Sequence, residues 1–343
     1  MFSSAADMPS VGLGLWKVPK DEAAEVVYQA IKGGYRLLDG ASDYGNEVEA
    51  GKGLKRAIDE GVVKREDIWI TTKLWNTYHK AEHVATNARR QLKDWGVEYF
   101  DAYLIHFPIS LKYVDPAERY PPGWTNPAGE TEIEDTPIQE TWQALELLHQ
   151  QGLVKHIGVS NFMATLIMDL LRYAKVKPSI LQVEMHPYLV QNELIAFVST
   201  SQPTPVACEI DALPFLQCKA FDIRITAFSS FGPQRKLRVA FSFSWIELDH
   251  PKVALCSNLL THEGVASIAQ RHGRTPAQVL LRWATQRGIA VIPKSTNVQR
   301  LTDNLDSTSF DLTTDELRSI SSWDLGLRFN NPAAIDPRIS IFS

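Results

Sequence analysis

Eight short apolar runs, each followed by a segment with a helical pattern, constrain the fold of this 343-residue chain more than any other feature. Runs that are apolar along their whole length are typical of strands buried on both faces, as in a parallel sheet covered by helices. The eightfold alternation predicts a single-domain (β/α)8 TIM barrel of the α/β class rather than a doubly wound sheet. The runs begin at Val11, Tyr35, Ile68, Asp101, Lys155, Ile180, Ile223 and Ile289. In the first helical segment, one apolar stripe contains Ala23, Val26, Val27, Ala30 and Ile31.

Composition and charge exclude several classes of protein. A hydrophobic content of 44% excludes a disordered chain, and a net charge of −5 without long runs of like charge gives no reason to expect a nucleic-acid or membrane partner. No apolar stretch reaches the roughly 18 residues of a transmembrane helix. The three cysteines, Cys208, Cys218 and Cys256, fit neither a disulfide framework nor a zinc site. We therefore expect a metal-free cytoplasmic protein, either a monomer or a homodimer.

Four polar residues stand where the predicted strands end. Asp39 ends the second strand and Tyr44 follows it, Lys73 lies within the third strand, and His106 ends the fourth. The carboxyl ends of all strands meet at one mouth of a TIM barrel, so we expect these side chains to lie close together. Structural pairing explains any one of them equally well, but four buried polar groups at one mouth favour a functional site.

The four residue types together predict carbonyl reduction. A Lys73 ammonium next to the Tyr44 hydroxyl is expected to stabilise the phenolate and to lower the tyrosine pKa from about 10, with Asp39 holding the lysine charged. His106 is expected to donate a hydrogen bond to a carbonyl oxygen. With a hydride from a nicotinamide, Tyr44 would act as the general acid that protonates the developing alkoxide.

A phosphate-binding segment is predicted after the last strand rather than in a glycine-rich turn. The sequence contains no G-x-G-x-x-G motif, which argues against a Rossmann site. Lys294 and Ser295 follow the eighth strand, and Arg300 lies in the next helix. Barrels commonly bind phosphate at this place, and two cations with a hydroxyl suit an adenosine 2′-phosphate. This favours NADPH and leaves NADH use open; the alternative is a solvated helix start with incidental charges.

Several motifs, in this order along the chain, resemble those of the aldo-keto reductase superfamily. The motifs are LLDGASDYGNE, TTKLW, LIHFP, GVSNF, LQVEMHPY, TAFSSFGP and IPKS, and the resemblance extends from Met8 to Phe342. The HFPI pairing, the YPPGW loop and the ending LGLRFNNP are similar to those of fungal D-xylose reductases. The resemblance implies NAD(P)H-dependent reduction of open-chain aldoses, such as D-xylose to xylitol.

The resemblance also implies roles for individual residues. The catalytic tetrad is expected to be Asp39, Tyr44, Lys73 and His106. The nicotinamide carboxamide is expected at Ser160, Asn161 and Gln182, and Phe228 is expected to stack on the ring where the family commonly has tyrosine. The remaining cofactor residues are expected to be Ser229, Phe231, Lys294, Ser295, Arg300 and Asn304. The sugar pocket is expected to contain Trp16, Trp75, His106, Phe107 and Asn330, the last in a C-terminal tail over residues 324–343. Core filling remains the alternative for both tryptophans.

Other functions remain open at this stage. The substrate could instead be L-arabinose, glyceraldehyde or galacturonate. A non-catalytic barrel that senses the nicotinamide redox state would not need Lys73 beside Tyr44. A barrel hydrolase would need paired carboxylates or metal ligands at the strand ends, and the sequence does not show them.

Two segments, 198–217 and 235–245, interrupt the pattern. Without the first, Leu194, Phe197, Cys218 and Phe221 form one continuous helical face. The second lies in the loop after the seventh barrel strand, which is expected to cover the cofactor. Both are interpreted as translated introns. The codons for Val-Ser can form a string like a splice donor, and the codons for Leu-Gln can end in CAG. The alternative is a pair of genuine surface insertions, which loops tolerate at low cost.

Overall fold

A parallel eight-stranded sheet forms the centre of the molecule, seen in a computed structural model that describes residues 2–198, 221–232, 238–241, 244–247 and 256–342. Its eight strands lie side by side in their order along the chain, and a parallel bridge between Val11 and Val291 joins the last strand to the first. The sheet is thus closed, and the prediction of a single-domain (β/α)8 barrel is confirmed. The strands are β1 Leu13–Gly14, β2 Leu37–Asp39, β3 Trp69–Leu74, β4 Phe100–Ile105, β5 Val154–Ser160, β6 Ile180–Glu184, β7 Arg224–Phe228 and β10 Ala290–Val291.

Helices cover the outside of the barrel. They are α1 Lys20–Lys32, α2 Glu47–Asp59, α3 Ala81–Trp95, α4 Ile138–Gln150, α5 Ala164–Tyr173, α6 Asn192–Val198, α7 Glu263–His272, α8 Pro276–Thr285, α9 Val298–Leu305 and α10 Thr314–Ser321. The predicted apolar stripe of α1 is buried along its whole length. Reciprocal side-chain bonds between Thr275 and Gln278 cap α8 and fix where it begins, and Pro276 occupies its first turn.

An apolar cluster lines the floor of the barrel, at the end opposite its mouth. Met8, Trp69 and Leu104 belong to the buried cluster inside the floor. Phe2 packs its ring edge-on against Trp69 at a centroid distance of 5.5 Å. The amino-terminal segment therefore closes this end of the barrel.

Helix α6 ends at Val198, where the first atypical segment begins. The chain is described again from Phe221, whose ring lies 5.5 Å from that of Phe197, and the Ile223 amide donates to the Val198 carbonyl at 3.3 Å. The two flanks of the segment therefore lie side by side. Residues 199–220 lie outside the described residues, and so do Cys208 and Cys218.

Part of the second atypical segment is an antiparallel hairpin. Strand β8, Arg238–Phe241, pairs with strand β9, Ser244–Glu247, so the hairpin spans the expected boundary at residue 245. Residues 233–237, 242–243 and 248–255 lie outside the described residues. In the parts of the chain that the structure does describe, no helix has both the length and the apolar composition needed to cross a membrane.

Candidate active site

The structure brings the four predicted tetrad side chains together at the mouth of the barrel. Asp39 is the last residue of β2, Lys73 lies in β3, and His106 directly follows β4. Tyr44 ends a 3-10 turn, Ser42–Tyr44, between β2 and α2. Four neighbouring elements therefore each supply one functional group to a common cavity, which is how active sites in this fold are built.

Lys73 is the centre of this group. Its ammonium donates to Asp39 Oδ1 at 2.6 Å, to the Gly40 carbonyl at 2.8 Å and to the Tyr44 phenol oxygen at 3.2 Å. The lysine side chain is fully buried and that of Asp39 is 2% exposed. The three hydrogen bonds satisfy all three ammonium protons, so the charge is held in one position without water.

The expectation of a lowered Tyr44 pKa is wrong for this site, although the Lys73 ammonium on the phenol oxygen does favour the phenolate. Burial raises the tyrosine pKa well above its ordinary value, and the carboxyls of Asp39, Asp43 and Glu47 add to the effect. Burial also lowers the pKa of Lys73 and raises that of Asp39, while their mutual attraction opposes both shifts. Tyr44 is therefore a neutral phenol near pH 7, with its proton available for donation.

His106 is present as a neutral imidazole near pH 7. Burial lowers its pKa well below the ordinary value, and the nearby Lys73 and His79 act in the same direction. Its carbonyl accepts a hydrogen bond from Asn161 at 2.9 Å, and its ring lies 5.8 Å from the Tyr44 ring. A neutral ring keeps one N–H group, which can donate to a carbonyl oxygen without transferring the proton.

Three aromatic side chains form one wall of the mouth. Trp75, Phe107 and Trp124 are each at most 7% exposed and pack edge-on against one another, with centroid distances of 4.9 to 6.1 Å. The Trp75 indole also donates to the Gly123 carbonyl at 3.1 Å. Sequence reasoning missed Trp124, although the YPPGW motif already marked its loop. Its position depends on how the long 113–135 loop folds back over β3.

Two charged groups near the mouth were also missed. Asp43 directly precedes Tyr44. Burial raises the pKa of Asp43 to about 8, and a hydrogen bond with the Gly123 backbone opposes this shift. Lys17 has its ammonium 3.9 Å from the centre of the half-buried Trp16 ring. Burial lowers the pKa of Lys17, and the positive charge of Lys294 lowers it further, so these two cations face each other. The loop after β1 thus adds a cation to the predicted phosphate region.

Ser160, Asn161 and Gln182 lie together at the ends of β5 and β6, next to the tetrad. Gln182 donates to Asp39 Oδ2 at 2.6 Å, and Asn161 donates to Ser160 Oγ at 3.1 Å. Asn161 Oδ1 is buried without a hydrogen-bond partner among the described residues. A buried acceptor next to a hydroxyl fits a primary amide, which needs both an acceptor and a donor. These residues therefore fit a nicotinamide carboxamide.

The residues after β7 connect the cofactor side of the site to the C-terminal tail. Phe228 and Phe231 are half-buried, and Ser229 has a left-handed backbone with φ of 55°. Ser229 Oγ accepts a hydrogen bond from Asn330 Nδ2 at 3.1 Å. Glu184 holds the tail by accepting from the backbone amides of Phe329 and Asn330, both at 2.8 Å. The structure thus brings Asn330 next to Ser229.

The segment after β10 has the arrangement that the sequence predicts. Ser295 is buried and its hydroxyl accepts from the Asn297 amide, while Asn297 caps α9 through the Arg300 amide. Lys294 and Arg300 are exposed, and neither side chain has a hydrogen bond within the ranges that the structure describes. Asn304 is buried on the inner face of α9. Cations at the start of a helix provide a site for an anion.

The fold agrees with the comparisons to known proteins. The model of the aldo/keto reductase family matches residues 10–324. This chain belongs to the aldo/keto reductase family.

Individual relatives are similar over nearly their whole length. A probable NAD(P)H-dependent D-xylose reductase of Emericella nidulans is 52% identical over 341 residues, which is 99% of this chain and 98% of the relative. An NAD(P)H-dependent D-xylose reductase of Aspergillus niger is 52% identical over 331 residues, which is 96% of this chain and 95% of the relative. The structure of the aldose reductase from Schistosoma japonicum superposes with a TM-score of 0.80 at 32% identity, covering 98% of this chain and 95% of that one.

The buried ion pair generates a prediction about stability. Asp39→Asn leaves the Lys73 ammonium buried without its counter-charge, so we expect the free energy of unfolding to fall by about 3–5 kcal/mol. Urea denaturation of the purified variant measures the change. A double variant with Lys73→Met as well removes the buried charge and is expected to recover much of the loss. A single variant as stable as the wild type would contradict this account of the pair.

Proposed function

We propose that this protein reduces open-chain aldoses, D-xylose to xylitol among them, with NADPH as the preferred reductant. The observation that carries the proposal is the pair of hydrogen bonds from the fully buried Lys73 to Asp39 and Tyr44, next to a neutral His106. The names of the two fungal relatives support the substrate class and the nicotinamide cofactor. We infer a cytosolic location from the small number of cysteines.

Each tetrad residue has one role in the proposed reaction. Ser160, Asn161 and Gln182 would hold a reduced nicotinamide, which when bound would supply the hydride for the carbonyl carbon of the sugar. Tyr44 gives its phenol proton to the carbonyl oxygen, so that the C=O group becomes CH–OH. Lys73 donates to the phenol oxygen and stabilises the phenolate that remains, while Asp39 keeps the ammonium charged. His106 orients the carbonyl through its ring N–H.

The cofactor would be held along one side of the mouth. Ser160, Asn161 and Gln182 suit the carboxamide, and Phe228 offers a ring face without the hydroxyl of a tyrosine. Ser229 and Phe231 suit the pyrophosphate, and Ser295 and Asn304 the adenosine. Lys294 and Arg300 supply the positive charge that favours a 2′-phosphate. Lys17, which faces Lys294, adds to this charge.

The sugar would lie against the aromatic wall. Trp75, Phe107 and Trp124 offer flat apolar surfaces, and Trp16 adds another at the edge of the mouth. His106 and Asn330 supply polar contacts, and the hydrogen bond from Asn330 to Ser229 keeps the tail near the reacting carbonyl. A small polyol chain can fill such a site through a few fixed polar contacts.

Removing the Tyr44 hydroxyl tests the proposal. For Tyr44→Phe we expect kcat/KM for D-xylose to fall by about 10²–10⁴, because the general acid is lost. The assay follows NADPH oxidation through the loss of absorbance of the reduced nicotinamide at roughly 340 nm. The control is Tyr113→Phe, which removes a hydroxyl from an exposed ring stacked on His83. Equal rates for wild type and Tyr44→Phe would refute the mechanism, and tight NADPH binding without turnover would favour a redox-sensing barrel.

The cofactor preference is tested at Arg300. Arg300→Met is expected to raise KM for NADPH about tenfold to hundredfold and to leave KM for NADH nearly unchanged, because only NADPH carries the 2′-phosphate. Steady-state kinetics with both cofactors measure the change. Arg89→Met, which removes an exposed cation from α3, serves as the matched control. An equal rise for both cofactors would place Arg300 elsewhere than at the 2′-phosphate.

We also propose that segments 198–217 and 235–245 are translated intron sequence. The contact between the Phe197 and Phe221 rings and the hydrogen bond from Ile223 to Val198 support this, since the flanks of the first segment already meet. The hairpin that spans residue 245 gives no such support for the second boundary.

Sequencing of the mature message tests the segments directly. We expect it to lack the codons of both segments, and we expect a protein without them to bind NADPH more tightly, because the second segment lies in the loop over the cofactor. Tryptophan fluorescence quenching by NADPH, measured for both forms, gives the two dissociation constants. A mature message that carries both segments would end the intron hypothesis.

A further inference from the structure

A second buried carboxylate lies behind the tetrad. Glu47 is the first residue of α2, three positions after Tyr44, and it is 1% exposed. We infer that Glu47 is a positioning residue for the Tyr44–Lys73 pair, which it holds by tying the start of α2 to β3 and α3. The inference rests on the proposed reductase function and deepens it.

The carboxylate of Glu47 is saturated with hydrogen-bond donors. Thr72 Oγ1 donates at 2.5 Å, the Trp95 indole at 2.8 Å, and Gln91 Nε2 reaches both carboxylate oxygens at 2.9 and 3.1 Å. The indole and the amide nitrogen can only donate, so they favour the ionised form of the carboxyl. No lysine or arginine lies within 4 Å of it among the described residues. Burial raises the pKa of the Glu47 carboxyl, and the three donors together with the Arg90 guanidinium oppose that shift by favouring the negative charge.

These bonds join the elements that carry the tetrad. Thr72 immediately precedes Lys73 in β3, and Gln91 also lies 3.4 Å from the Lys73 carbonyl. Gln91 Oε1 accepts from the Tyr103 hydroxyl at 2.7 Å, which extends the network to β4, the strand that His106 follows. A shift of Glu47 would therefore move β3 relative to the turn that carries Tyr44.

The backbone around Gly40 shows how tightly this space is filled. A Cβ atom at Gly40 would lie 2.9 Å from Trp95 and 3.5 Å from Glu47 Oε1. The Gly40 carbonyl is one of the three acceptors of the Lys73 ammonium. Glu47 and Trp95 therefore pack against the peptide that orients Lys73.

The charge of Glu47 also acts on the proton that Tyr44 gives up. Burial is the main reason for the raised pKa of Tyr44, and Asp39, Asp43 and Glu47 each raise it further. Glu47 also opposes the burial effect on Lys73 by favouring its charged form. The groups that face Tyr44 are Asp39, Asp43, Glu47, Lys73 and His106, and those that face Glu47 are Arg90, Tyr103, Tyr120, Tyr44 and Lys73. The carboxylate thus favours the protonated state of both members of the pair.

The sign of the expected pH effect follows from this charge. In Glu47→Gln the loss of a negative charge lowers the pKa of both Tyr44 and Lys73. The proton needed for catalysis is then lost at a lower pH, so the alkaline limb of the kcat/KM profile for NADPH-dependent D-xylose reduction moves down by about one pH unit. We expect kcat to fall about tenfold with a smaller change in KM, because a misplaced donor affects the reacting state more than binding.

The matched control is Thr72→Val, which removes one hydrogen bond to Glu47 but leaves the charge. Its pH profile is expected to stay at the wild-type position, even if its melting temperature falls as much as that of Glu47→Gln. A folded Glu47→Gln protein with a wild-type pH profile would overturn the inference and leave Glu47 a purely structural residue. An equal shift in both variants would also overturn it.

Two further variants keep the test decisive. If Glu47→Gln does not fold, Arg90→Gln removes the partly exposed cation that faces Glu47. The alkaline limb of the kcat/KM profile is then expected to move to higher pH, and an unchanged limb overturns the inference.

Tyr44→Phe separates this inference from the proposed function. If Tyr44→Phe keeps full activity, the function itself fails, whereas an inactive Tyr44→Phe with an unshifted Glu47→Gln profile rejects only the role of Glu47.

Discussion

The ion pair between Lys73 and Asp39 determines how the mouth of this barrel is built. Burying two charges costs several kcal/mol per ion, and good geometry with further hydrogen bonds is needed to offset that cost. Here Lys73 Nζ lies 2.6 Å from Asp39 Oδ1, and Gln182 donates a hydrogen bond to the second carboxylate oxygen, Oδ2. Strands β2, β3 and β6 are thus tied together through one carboxylate. The position of the Tyr44 phenol follows from it, because the third ammonium proton points at the phenol oxygen.

The order of elements could be predicted from the sequence because each strand of this barrel is buried on both faces. The run that begins at Ile68 became β3, and its one charged residue, Lys73, was conspicuous because nothing in the packing of an apolar strand explains it. Ser160 and Asn161 required the resemblance to known motifs, since a serine and an asparagine after a strand are common in any loop. The structure adds the orphan Asn161 oxygen, which the sequence cannot show.

Burial, and contacts between segments that are distant in sequence, explain what the sequence could not predict. The sign of the Tyr44 pKa shift depends on burial and on Asp43 and Glu47, whose proximity is decided by the turn after β2 and the start of α2. Trp124 joins the aromatic wall only because the long loop after β4 folds back onto Trp75. The network around Glu47 likewise needs the α3 helix to present Gln91 toward β3. The contacts of Trp124 and Gln91 join segments that are far apart in sequence and have no short-range signature.

The hydrogen bond between Ile223 and Val198 marks a natural place to open the chain. Helix α6 ends, and the described chain before β7 begins, at almost the same point of the barrel. A cut between these residues would interrupt no pairing between barrel strands, because β6 and β7 are complete on either side of it. The barrel can therefore be regarded as two fragments that share one sheet, and circular permutation at this position should leave its strand order intact.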